Sequence, residues 1–154
     1  MFFIAVFIIA WAAWIFLADK KRWRELFPVS IFAALLGVTS DILTRHYPLW
    51  SYEKGDSMVV HLGDDFGLYI VIPYLFIQWL PRVRTFWKMA GYWFVWTTLT
   101  ISIELIYLAS GHLEHHKWWS SGLSYSSDWL LFWLFYQYHR IFQAGRPLEG
   151  TSPG

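Results

Sequence analysis

Five apolar stretches, at roughly residues 2–18, 26–44, 66–80, 89–109 and 126–142, are joined by connectors that alternate between basic and nearly cation-free. Lys20, Lys21, Arg22 and Arg24 follow the first stretch, Arg82, Arg84 and Lys88 follow the third, and Arg140 and Arg146 close the fifth. The other connectors share only Arg45, Lys54 and Lys117, so nine of the twelve basic residues fall on alternate connectors. A soluble chain has no reason to sort its cations this way, whereas a chain threaded through a bilayer keeps Lys and Arg on the cytoplasmic side. The pattern predicts an all-α, polytopic transmembrane helical bundle of about five spans. Its amino terminus lies outside, its carboxyl terminus is cytoplasmic, and its home is the cell (inner, cytoplasmic) membrane.

Composition narrows the class further. At 56% hydrophobic and 22% aromatic over 154 residues, the chain is too apolar for a soluble domain of this size and has no polar sequence left for a second one. A single transmembrane domain over residues 1–144 and a disordered cytoplasmic tail over 145–154 are expected. The first stretch, with Ala10-Trp11-Ala12, has the look of a secretory signal, but no positive charge precedes it. It also continues through Trp14-Ile15-Phe16-Leu17 into Lys20-Lys21-Arg22, so an uncleaved first helix is expected. Cysteine is absent, which excludes disulfides, thiolate metal sites and cysteine nucleophiles. Any chemistry must use His, carboxylates, hydroxyls or Tyr.

Roughly twenty helical residues are needed to cross a bilayer upright. The third stretch, Phe66 to Leu80, is short and contains Pro73, so it is expected to thin the bilayer or to be shielded by its neighbours. The fifth is short and unusually aromatic and is expected to lie partly in the interface. Most of the twelve tryptophans and nine tyrosines fall near stretch boundaries, as an interfacial belt requires.

Two spans carry polar stripes. Ser30, Ala34, Gly37, Asp41 and Thr44 recur at three- and four-residue intervals, and so do Thr97, Thr100, Glu104 and Tyr107. Each stripe holds one carboxylate near the predicted outer end of its helix. A carboxylate facing lipid costs a few kcal/mol, about 2.5–3.5 on insertion scales, so both acids should face the bundle interior. Two readings are open: a hydrogen-bond network that locks the second and fourth helices together, or a proton- or cation-linked site at the outer mouth of the bundle.

Above those acids lie two connectors rich in titratable groups. Residues 45–65 contain His46, Glu53, Asp56, His61, Asp64 and Asp65, and residues 110–128 contain His112, Glu114, His115, His116 and Asp128. Imidazole and carboxylate together suit Zn²⁺, Fe²⁺ or Mn²⁺. His61, His112, His115 and His116 are therefore candidate metal ligands, with His112 and His116 on one face if the fourth helix runs past Ala109. The His-x-x-His-His match at residues 112–116 looks like the box of membrane di-iron desaturases. This chain has one box, too few further histidines and an outer location, so the match is read as accidental. A phosphate-cradling glycine loop, a Gly-x-Ser-x-Gly elbow and a His-Glu-x-x-His helix are all missing from the sequence. Nucleic acid is excluded as a partner for want of a soluble basic surface.

Trp23-Arg24-Glu25 opening the second span, Tyr47-Pro48 after it, the Asp65 to Pro81 segment, Glu104 with Tyr107, and Trp118-Trp119 before an aromatic last span make a recognisable order. Over about residues 20–142 it resembles a family of small multi-pass membrane proteins of unknown function from endospore-forming bacilli and clostridia. The resemblance implies a bacterial membrane setting and directs attention to Glu104, Tyr107 and Trp118. It implies no activity, and the His112/His115/His116 cluster does not look like a family feature.

The functional expectation is a non-enzymatic membrane component without a cofactor. Its outer-leaflet pocket, built on Asp41, Asp65, Glu104 and Tyr107, would bind or sense a cation, a proton or a lipid headgroup. A small metal-dependent enzyme acting on lipid, with the four histidines as ligands, is the first alternative, and an assembly partner in a larger complex is the second. The lipid bilayer is the expected partner, joined by a second copy or another membrane protein because five short helices enclose little on their own.

Overall fold

Asp19 breaks the first apolar run and starts the next helix: its carboxylate accepts the Lys21 N–H at 3.1 Å, setting a single 3₁₀ turn over Lys20–Arg22. Arg22 then grips Glu25 through Nε and Nη2, at 2.9 and 2.7 Å, one turn into the following helix. The computed structural model, which describes residues 1–53 and 57–144, has five helices among the described residues. They are α1 (Phe2–Leu17), α2 (Trp23–His46), α3 (Met58–Gln78), α4 (Phe86–Ala109) and α5 (Ser121–Ala144). Lys54, Asp56, Arg146 and the expected tail over 145–154 lie outside the described residues.

Three of these segments, 20–46, 58–78 and 86–109, are long and apolar enough to cross a membrane. Helix α1 is apolar but only 16 residues long, and α5 has 24 residues with a polar first half containing Ser121, Ser124, Ser126, Ser127 and Asp128. Aliphatic side chains such as Ile8, Ile9, Leu35, Val95 and Ile106 are exposed on the outward faces of α1, α2 and α4. Exposed apolar surface on this scale fits a hydrocarbon surrounding.

The third and fifth segments are longer than the sequence suggests. Helix α3 begins eight residues ahead of Phe66, and α5 begins five residues ahead of Ser126. Their added residues stay helical because His61, Asp64, Asp65 and Asp128 find partners inside the bundle rather than in water. The helix over 58–78 also contains a π turn at Asp64–Leu68, ending five residues ahead of Pro73. Such widened turns recur at functional sites.

Two helix pairs make the frame. Helix α2 packs along α3, and α4 packs along α5, while α1 lies against the first half of α3. That last contact depends on Gly63, where a β-carbon would stand 2.7 Å from the Phe3 carbonyl oxygen and 3.0 Å from the Phe3 β-carbon. The core at the bundle centre is aromatic and dense: Leu26, Val29, Ala33, Tyr74, Phe76, Trp96, Phe132 and Phe135 are all buried. The Phe76 ring meets those of Phe132 and Tyr92 at centroid distances of 4.7 and 5.3 Å. Of the tryptophans and tyrosines expected in an interfacial belt, Trp96, Tyr74 and Tyr107 are buried in the interior. Trp23, Trp79, Trp87 and Trp118 remain exposed at the helix ends.

The basic end of the bundle is closed by hydrogen bonds between helix termini. Gln78 donates to the Leu17 carbonyl at 2.9 Å and accepts the Asp19 N–H at 2.7 Å, Tyr74 donates to the Asp19 carbonyl, and Gln143 reaches Glu25 at 2.8 Å. The opposite end is closed by a two-stranded antiparallel pair, β1 (Trp50–Tyr52) and β2 (Leu113–His115), with Trp50 opposite His115.

Replacing Gly63 with alanine forces two backbones apart, so Gly63→Ala should lower stability by about 1–3 kcal/mol, as overpacking does. Gly91, on α4, has nothing within 4 Å of a built β-carbon. Gly91→Ala should be neutral or stabilising by up to about 1 kcal/mol. Thermal unfolding in one detergent, followed by circular dichroism, compares the two.

Candidate functional site

Strand pairing sorts the connector residues into two sets, because alternate side chains leave opposite faces. Trp50 and Tyr52 on β1, with Leu113 and His115 on β2, face the bundle and line a cavity of ≈ 330 Å³ enclosed by α2, α3, α4 and α5. Ser51 and Glu114, paired across the strands, do not line it. The strand pair thus lids the bundle. Asp41 and Glu104 each lie five residues before the end of their helices, about 7 Å deep by helical rise.

One wall comes from α2 and α3. Asp41 accepts a hydrogen bond from Trp50 Nε1 at 3.4 Å, and Tyr52 donates to Asp64 at 2.6 Å. Burial, reinforced by the Asp64 and Asp41 carboxylates, holds the Tyr52 phenol well above its ordinary pKa. It therefore stays a donor at neutral pH. His61 Nδ1 sits 2.6 Å from Asp65 Oδ2 and 3.6 Å from Asp41 Oδ2, so one imidazole edge addresses both acids. The close approach of the two helices is set by Gly37, whose built β-carbon would be 2.5 Å from Asp65 Oδ1.

The other wall comes from α4 and α5. Thr100 donates to Asp128 Oδ2 at 2.5 Å and ties the two helices together. His115 Nε2 lies 3.2 Å from Glu104 Oε1, and Trp119 donates to Ser124 at 3.0 Å. Tyr107 is only 4% exposed, lines the cavity, and its hydroxyl has no hydrogen-bond partner among the described residues. A buried hydroxyl left without a partner costs about 1–3 kcal/mol, which a bound polar group or water would recover. Below the acids the floor is apolar, made by Ile72, Pro73, Leu131, Phe132 and Phe135.

The four pocket residues named from the helical stripes, Asp41, Asp65, Glu104 and Tyr107, all line this one cavity. Asp64, Asp128, Trp50, Tyr52 and Trp119 line it too and were not singled out. Asp64 and Asp128 were assigned to connectors, and only the recognition that α3 and α5 start early would have turned them inward. Strands of three residues leave no periodicity to read.

The four histidines do not assemble into a ligand set. His112 stacks on Phe2 at 4.0 Å and reaches Ser110 Oγ, His116 Nε2 lies 2.6 Å from Ser51 Oγ, His115 faces Glu104, and His61 faces the aspartates. Helix α4 stops at Ala109 and gives way to a turn and β2, so His112 and His116 never share a helix face. Among the described residues, the group able to hold a metal is Asp41, His61 and Asp65, whose ligand atoms lie within 4.8 Å of one another. No family model, curated protein or solved structure matches the chain.

The two hydroxyls on α4 should separate cleanly. Thr100→Val leaves Asp128 without its donor and should cost about 1–3 kcal/mol. Tyr107→Phe removes an oxygen that bonds to nothing described and should leave stability unchanged or raise it by up to about 1–3 kcal/mol. Unfolding midpoints of the two variants in the same detergent give the comparison.

Proposed function

We propose that this is an integral protein of the cell membrane whose cavity binds a cationic ligand at the external side. In this reading all five helices cross, with the amino terminus outside and the strand pair on the outer surface. The basic connectors after α1 and α3 support that orientation, because they belong to the end opposite the cavity. The resemblance to small multi-pass proteins of endospore-forming bacteria suggests a bacterial membrane and adds no activity.

The observation that carries the reading is the lining. Five carboxylates, Asp41, Asp64, Asp65, Glu104 and Asp128, come from four helices to one cavity, and no Lys or Arg is among the residues that line it. Like charges in a poorly solvated space repel by about 4 kcal/mol per pair at 4 Å, with an effective dielectric of 20. A cation entering the space relieves that repulsion and gives the Tyr107 hydroxyl a partner. The apolar floor adds a place for a hydrocarbon portion. An ammonium group carried on an apolar body is the ligand chemistry that fits both halves. A lipid amine headgroup and a free alkylammonium ion share that chemistry.

Trp50 and Trp119 line the cavity and their rings lie 5.2 Å apart, so their fluorescence reports occupancy. Titration of detergent-purified protein with butylammonium should give saturable quenching. The double substitution Glu104→Gln with Asp128→Asn should weaken binding at least tenfold, about 1.4 kcal/mol, with the unfolding midpoint retained. Quenching by phosphatidylethanolamine but not by butylammonium would assign the headgroup as the source. Equal binding by wild type and double variant would overturn the reading.

A further inference from the structure

Of the acids around the cavity, two share a nitrogen donor. Asp41 on α2 and Asp65 on α3 bring one carboxylate oxygen each to the edge of the His61 ring, and the three candidate ligand atoms lie within 4.8 Å of one another. We propose that Asp41, His61 and Asp65 form a binding site for one divalent transition-metal ion, set into the α2/α3 wall of the cavity. The inference rests on the cation-binding reading of that cavity and names a resident ion on one wall of it.

The residues are held as ligands need to be. His61 and Asp65 are four apart on α3, where Asp65 enters the π turn, and their side chains meet at 2.6 Å. Asp41 is brought to them by the close helix crossing at Gly37. Asp65 is 1% exposed and Asp41 9% exposed, so water cannot solvate the two carboxylates as it would on a surface. A metal ion would replace the proton now shared between His61 Nδ1 and Asp65 Oδ2, with a short movement of the side chains onto a common centre.

The donor set decides the class of ion. One imidazole with two carboxylates favours Zn²⁺, Mn²⁺ or Fe²⁺, whereas Mg²⁺ and Ca²⁺ prefer oxygen alone. Three protein ligands leave coordination positions open. Asp41 and Asp65 both line the cavity, so an ion held by them would be reachable from its interior. An independent observation on the same cavity also points to a ligand. The Tyr107 hydroxyl, in a residue 4% exposed, has no partner among the described residues. A water or anionic group held by the ion would have that hydroxyl available as a donor.

The test uses the full chain, purified without a histidine tag and stripped with chelator. Titration with Co²⁺, followed by visible absorption, and with Zn²⁺, followed by calorimetry, should show one equivalent bound at micromolar or tighter affinity. His61→Ala and Asp41→Asn should each weaken Zn²⁺ binding at least tenfold, while His112→Ala and His116→Ala should bind as wild type does. Mg²⁺ should not compete. The wild-type titration alone keeps the proposal falsifiable should a variant fail to fold: no saturable Co²⁺ or Zn²⁺ binding overturns it. Unchanged affinity in His61→Ala overturns it as well, and so does loss in His112→Ala or His116→Ala without loss in His61→Ala. Butylammonium quenching in the metal-free protein reads the cavity separately, so a failed metal site and a failed cation cavity give different results.

Discussion

Crowding of carboxylates where water is scarce is the constraint that organises this molecule. Asp41, Asp64, Asp65, Glu104 and Asp128 line one space at one end of the bundle. Each of them is answered by a neutral donor or an imidazole: Trp50 for Asp41, Tyr52 for Asp64, His61 for Asp65, His115 for Glu104 and Thr100 for Asp128. Neutral donors satisfy lone pairs but remove little of the mutual repulsion, which in such surroundings is several times stronger than in water. A space built this way is poised for positive charge. Burying charges without that return would be a poor route to stability, since well-packed apolar residues do as well or better.

The rest of the fold serves to hold the acids at that depth. Close helix crossings at Gly37 and Gly63 bring α2 and α1 onto α3, and the aromatic centre around Phe76, Trp96 and Phe132 fixes the spacing of the two helix pairs beneath the cavity. At the far end, Gln78, Tyr74, Asp19 and Glu25 knit the helix termini together. Among the described residues, that leaves the strand pair as the one non-helical element over the site. It supplies Trp50, Tyr52 and His115, three of the five partners the acids use, from two connectors that the helices alone would leave apart.

Much of this was legible in the chain because lipid-facing helices write strong signals. The helical stripes through Gly37 and Asp41 and through Thr100, Glu104 and Tyr107 identify inward faces by period alone. Where those readings stop, the reason is physical. Residues 58–65 read as a loop because His61, Asp64 and Asp65 interrupt the apolar run, yet they are helical because His61 and Asp65 satisfy each other and Asp64 finds Tyr52. Asp128 read as loop for the same reason, and its partner Thr100 is on another helix. The histidines looked like one cluster because sequence proximity hides direction. A turn after Ala109 and the strand alternation send His112, His115 and His116 to different neighbours.

The cavity has an acidic rim and an apolar floor, and the proposed external, cation-binding role turns on that contrast. The absence of cysteine makes it directly measurable, since a single introduced thiol reports only its own surroundings. Ser127 on α5 lines the cavity. In intact cells, Ser127→Cys should react with a membrane-impermeant cationic methanethiosulfonate at least tenfold faster than with its anionic counterpart, as focusing of potential in a charged cleft requires. Equal rates for the two reagents, or reaction only from the cytoplasmic side, would contradict it.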